Sequence, residues 1–174
     1  MTGKNSYLTT AKNLYAWLAK LTDSDGLMLD HIDLSGKIER TKWTYNSALT
    51  VEAGASLFQI TGDRKYLSDA KRTAEAAKAR WIDPIAGAIK DEAAFAHHLA
   101  DAFLALGQVD RGGDWGAVAR RSIEFAYSNT GKDGLFGSRW DRYAARDSKF
   151  ILLWQASMAR GLLRAANNHP VPGA

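Results

Sequence analysis

Apolar residues recur at three- and four-residue steps through most of this chain, and six helical segments can be read from them. The first covers roughly Asn5 to Leu21. Tyr7, Leu8, Ala11, Leu14, Tyr15 and Leu18 fall on one face, with Lys12 and Lys20 opposite. The second, about Thr44 to Ile60, is apolar nearly all round and holds one charge, Glu52. The third, from Asp63 to near Trp81, is one-faced again. The fourth, about Glu92 to Leu106, is largely apolar. The fifth, about Asp114 to Tyr127, is amphipathic, and the sixth, about Asp147 to Ala166, is the most apolar. A one-faced helix lies on the outside of a fold, and one apolar all round is covered on every side. The alternation therefore predicts an all-α protein in which outer helices wrap an inner layer.

The connections alternate too. Inner helices pass to outer ones through tight turns, at Thr61-Gly62-Asp63 and between Gly107 and Gly113. Gly62 suits the left-handed residue that ends a helix, and Asp63 suits the next N-cap. Outer helices pass to inner ones through long loops: Thr22 to Trp43, Ile82 to Asp91, and Ser128 to Arg146. These loops share a theme. Asp25-Gly26-Leu27 leads to Asp30, Gly87-Ala88-Ile89 to Asp91, and Asp133-Gly134-Leu135 to Trp140-Asp141. An aromatic follows each, Trp43, Phe95 and Phe150. This is a degenerate repeat of outer helix, loop and inner helix. It places all three long loops at one end of the stack, where function is most often carried.

Composition narrows the function. The net charge of +4 comes from bases interleaved with acids along helices, without a basic run, so nucleic acid is not the expected partner. There is no cysteine, which excludes disulfides and thiolate metal sites. No apolar run is long enough to span a membrane, no signal peptide is visible, and the compartment is not assigned. No cofactor is expected.

The long-loop end gathers Asp30, His31, Trp43, Tyr45, Asn46, Trp140 and Asp141. Aromatic faces beside carboxylates and amides suit sugars, since a ring stacks on a pyranose while polar groups bond its hydroxyls. These seven are the candidate substrate contacts. Asp91-Glu92 is an adjacent acidic pair at the mouth of an inner helix. It is the weak candidate for acid/base chemistry, although acids at a helix start also serve as caps. His97 and Asp101 stand four apart on one helix but lack a third ligand, so no metal site is expected.

The segments Asp30-His31-Ile32-Asp33, Gly36-Lys37-Ile38 and Trp43-Thr44-Tyr45-Asn46 resemble the later half of glycoside hydrolase family 76, the endo-α-1,6-mannanases. Thr61-Gly62-Asp63, Tyr66-Leu67 with Ala70, and Gly134-Leu135-Phe136-Gly137-Ser138-Arg139-Trp140 follow in the family's order. Ser47-Ala48 and Phe95-Ala96-His97 depart from its pattern. The resemblance implies an α/α toroid, of which this chain has three helical hairpins, half of an (α/α)6 barrel. It implies retaining hydrolysis of α-1,6-linked mannan by two adjacent aspartates, and this chain has no Asp-Asp. Residues 1–174 then form a single α/α-hairpin domain, whole or a fragment of a longer catalytic domain. The expected partner is a polysaccharide or oligosaccharide. The alternative is a non-catalytic helical-repeat module holding a glycan or a protein. Half a toroid leaves an open flank, which a longer chain, a homodimer that closes the ring, or collapse into a bundle would cover.

Overall fold

The computed structural model describes residues 5–131, 133–144 and 147–167. Six α-helices run in order: α1 (Asn5–Leu18), α2 (Thr44–Thr61), α3 (Arg64–Trp81), α4 (Ala93–Val109), α5 (Trp115–Ser128) and α6 (Leu152–Asn167). A 3-10 turn, Ala19–Leu21, extends α1. α4 packs on α2 on one side and on α6 on the other, so these three form the inner row. α3 lies on α2, α5 lies on α4, and α1 touches the edge of α2. The main core runs along the row, with Val51, Leu99, Phe103, Leu106, Trp115 and Met158 fully enclosed. The architecture is half of an α/α toroid.

The punctuation acts as the residues dictate. Gly62 ends α2 at φ 72°, its N–H donating to the Phe58 carbonyl, and the Asp63 side chain caps α3 through the Lys65 N–H. Each long loop opens on a related turn, one residue longer in the second loop. The Asp23, Asp83 and Gly131 N–H groups donate to the Leu27, Ala88 and Leu135 carbonyls. Gly26, Gly87 and Gly134 supply the positive φ (83°, 75° and 71°) that this turn requires.

The structure differs from the sequence pattern in three places. α6 begins at Leu152, not Asp147, because the Asp147 carboxylate is held in the third loop by the Ser138 N–H and hydroxyl and by Arg142. Residues 145 and 146 lie outside the described segments. α1 buries only Tyr15, while Tyr7 and Leu14 of its apolar face are exposed. Finally, the first loop folds a two-stranded hairpin, β1 (His31–Ile32) with β2 (Ile38–Glu39), around Asp33-Leu34-Ser35-Gly36.

Candidate functional site

The three loops meet at one end. The Ala93 N–H donates to the Ser138 carbonyl and the Trp140 N–H to the Asp91 carbonyl, which joins loops two and three. The Thr44 hydroxyl, at the start of α2, donates to Asp91. Loop one rests on a small core of its own, Leu21, Met28 and Leu29, with Ile32 and Ile38 of the hairpin against it. Lys42 clamps this loop through Asp23 and Asp25, at 2.6 and 2.7 Å. The Lys42 hydrogen bond is the first cause that holds the Asp23 carboxyl down to about 2.

The hairpin presents Asp30 to the first turn of α2. One carboxylate oxygen accepts from the Tyr45 hydroxyl at 3.2 Å and from Asn46 Nδ2 at 3.0 Å. The other lies 3.0 Å from His31 Nδ1. These contacts, the one with His31 first, hold the Asp30 carboxyl below its ordinary range. Burial, and then the Asp30 charge, push the Tyr45 phenol up, so it stays a donor at neutral pH. Behind them Phe95 of α4 stands 5.2 Å from the Tyr45 ring and 5.8 Å from that of Trp43. Trp43, 38% exposed, forms the outer edge of this ledge. Asp30, His31, Trp43, Tyr45 and Asn46 are thus one contiguous group.

The other candidates are held in different ways. Trp140 is 1% exposed, and a Cβ on Gly161 would stand 3.0 Å from its ring, so it packs the interior under α6. Asp141 is held in a two-point contact by Arg139, at 2.8 and 3.1 Å. Asp91 is buried and engaged by Thr44 and by the Glu92 N–H, while Glu92 is exposed. His97 sits against the Ala93 carbonyl at 3.3 Å, and burial lowers its pKa. No group of three metal-ligating side chains occurs among the described residues.

Sequence periodicity missed a charge network on the inner row. Asp101 of α4, 1% exposed, accepts from Arg160 Nε at 2.6 Å and faces Arg164 Nε at 3.6 Å. Arg164 reaches on to Glu52 of α2 at 2.8 Å. The signal was there: Glu52 and Asp101 are isolated acids in apolar helices, and Arg160 and Arg164 are four apart in another.

The model of glycosyl hydrolase family 76 matches residues 1–111. The chain belongs to this family. Solved structures are similar to the chain over nearly its whole length. A family 76 α-mannanase of Bacteroides thetaiotaomicron superposes with a TM-score of 0.86 at 27% identity, over 96% of this chain and 47% of that one. An inactive variant of a Salegentibacter α-1,6-mannanase, altered at two adjacent aspartates and in complex with α-1,6-mannotriose, superposes at 0.83 with 26% identity, over 97% and 54%. A Listeria innocua protein matches at 0.81 and 25%, over 94% and 49%. The chain spans about half the length of each of these three proteins. No curated protein sequence matches it. No described helix is long and apolar enough to cross a membrane.

Proposed function

We propose that this chain is one wall of a family 76 toroid and holds an α-1,6-linked mannan on the ledge formed by Asp30, His31, Trp43, Tyr45 and Asn46. The observation that carries the reading is the joining of an accessible, hydrogen-bonded carboxylate to an aromatic ledge at the long-loop end. The Trp43 face suits the apolar side of a pyranose. Asp30 accepts from sugar hydroxyls, and Asn46 and His31 offer further polar atoms. Recognition of α-1,6-mannotriose by a structural relative points to the same substrate class.

In this reading residues 1–174 form one domain that binds but does not cleave by itself. Retaining hydrolysis takes two carboxylates about 5–5.5 Å apart, one as nucleophile and one as acid/base. Asp91 is committed to Thr44 and to backbone, which favours a structural role for it over a catalytic one. Its engagement favours the non-catalytic module over an enzyme complete in this chain. Further hairpins, forming the second half of the ring, would supply the rest.

Titration calorimetry with α-1,6-mannotetraose, against an α-1,4-glucan oligomer as control, tests the reading. Mannan-selective binding without release of reducing ends is the expected result. Equal or absent heat for both sugars removes the substrate assignment. Reducing-end release that disappears in Asp91→Asn removes the non-catalytic one.

A further inference from the structure

α4 turns one side to α5, where Phe103 stacks on Trp115. On its other side Phe95, His98, Ala105 and Gln108 remain accessible. They are spaced by three and seven residues, so they form one stripe, with α2 and α6 on either hand. Phe95 opens the stripe, behind the Trp43–Tyr45 ledge. The gap in the stripe falls at Asp101 and Ala102, both fully buried. A charged strap crosses there. Arg160 binds Asp101, and Arg164, which faces the same carboxylate, runs over α4 to Glu52 of α2. Beyond the strap lies a polar cavity of about 390 Å³, with Ser56, Gln59, Ala105 and Gln108 in its lining. His98 is therefore the accessible polar residue of α4 between ledge and strap. It stands one turn along from Phe95, about 4.5 Å of helix axis.

The chemistry of this imidazole is available for a ligand. His31 is engaged by Asp30, and His97 by the Ala93 carbonyl. Among the described residues, nothing forms a hydrogen bond with the ring nitrogens of His98. Its ring is nonetheless fixed, because the buried His97 ring lies against it with centroids 4.0 Å apart. Burial, and then His97, lower the His98 pKa from its ordinary value, so the ring is neutral at neutral pH. A neutral imidazole carries one donor and one acceptor, a match for sugar hydroxyls, which do both. A half-buried, oriented polar group beside an aromatic ledge is the arrangement expected of a ligand contact.

We infer that the glycan continues from the ledge over Phe95 onto this stripe, and that His98 bonds a hydroxyl of the sugar residue lying there. The inference rests on the mannan reading above and extends it by one sugar position. The strap gives that position its far boundary. Arg164 and Glu52 are tied to each other and Arg160 to Asp101, so the groove ends on a paired, crosslinked wall two turns beyond Phe95. Every part of this position, Phe95, His98, the strap and the two flanking helices, belongs to residues 44–167 of this chain. The sequence pattern hides it, because His98 lies in an apolar helix beside a histidine that faces the interior.

Calorimetry and proton NMR of the whole chain test it together, with α-1,6-mannotetraose as the probe. His98→Ala should weaken binding by about tenfold or more, and far-UV circular dichroism confirms that the variant folds. In the unaltered chain the imidazole signal of His98, identified by its absence from His98→Ala, should shift as the sugar is added. The two readouts separate contact from support, since a residue that only props Phe95 would change affinity without itself meeting the sugar. Affinity kept in His98→Ala overturns the inference and leaves the mannan reading in place. A His98 signal that the bound sugar does not move does the same. An unaltered chain that fails to bind the mannan oligomer, or binds an α-1,4-glucan oligomer equally well, overturns the mannan reading and this inference with it.

Discussion

Asp30 and Asp91 each stand four residues after the positive-φ glycine of a long loop, Gly26 and Gly87, yet they live in different worlds. Asp30 faces outward, and its three partners, His31, Tyr45 and Asn46, are themselves half-buried or exposed. Asp91 faces inward and binds Thr44, itself fully buried, and the backbone that starts α4. The difference comes from what precedes each residue. The first loop is long enough to fold a hairpin on a separate small core, which holds Asp30 against the half-buried first turn of α2. The second loop is shorter than the first, and after its turn the chain enters α4 directly, carrying Asp91 between α2 and the third loop. One repeat position thus yields a surface carboxylate in one copy and a buried joint in the next, so a shared motif does not imply a shared role.

The largest effect should fall on the joint. Asp91→Ala leaves the buried Thr44 hydroxyl and the Glu92 N–H without their acceptor, a loss of about 2–3 kcal/mol in unfolding free energy. Urea denaturation should show a lower midpoint at unchanged slope. Asp30→Ala should cost less than about 1 kcal/mol by the same measurement, because water replaces its partners. Comparable losses for the two variants would break the contrast. The next effect falls on ligand. Asp30→Ala should weaken α-1,6-mannotetraose at least about tenfold in calorimetry, while Glu92→Gln leaves affinity unchanged. A strong response to Glu92→Gln would move the binding surface toward α4.

How much of this was legible beforehand follows from the same contrast. The six helices, their alternation and the end that holds the loops are written in local periodicity, and the family motifs lie in the order that the fold uses. The grouping of Asp30 with Tyr45 and Asn46 was readable because those residues flank one loop. Trp140 and Asp141 look alike in sequence to the ledge residues. Their fates depend on Gly161 and Arg139, and the space that Gly161 leaves for an indole cannot be read from a motif. The start of α6 moved for a related reason: the Asp147 side chain found partners in Ser138 and Arg142 that no helical pattern announces.

Acid should separate the loops by a smaller but distinctive effect. Five carboxylates of loop one, Asp23, Asp25, Asp30, Asp33 and Glu39, are held below their ordinary range by hydrogen bonds within the loop or to α2. Asp83 in loop two and Asp147 in loop three are held down in the same way. A carboxyl whose folded pKa is depressed contributes stability that is complete above its unfolded value and lost as pH falls through the folded one. For Asp23 that window runs from its ordinary 3.8 down to about 2. Protonation there releases Lys42, and with it the clamp on the loop. Hydrogen exchange read by mass spectrometry should therefore show residues 22–43 losing protection between about pH 4 and pH 2, before the second and third loops do. Loss of protection in all three loops at one pH would mean that loop one has no separate stability, and that the small core under the hairpin does not isolate Asp30 from the helix stack.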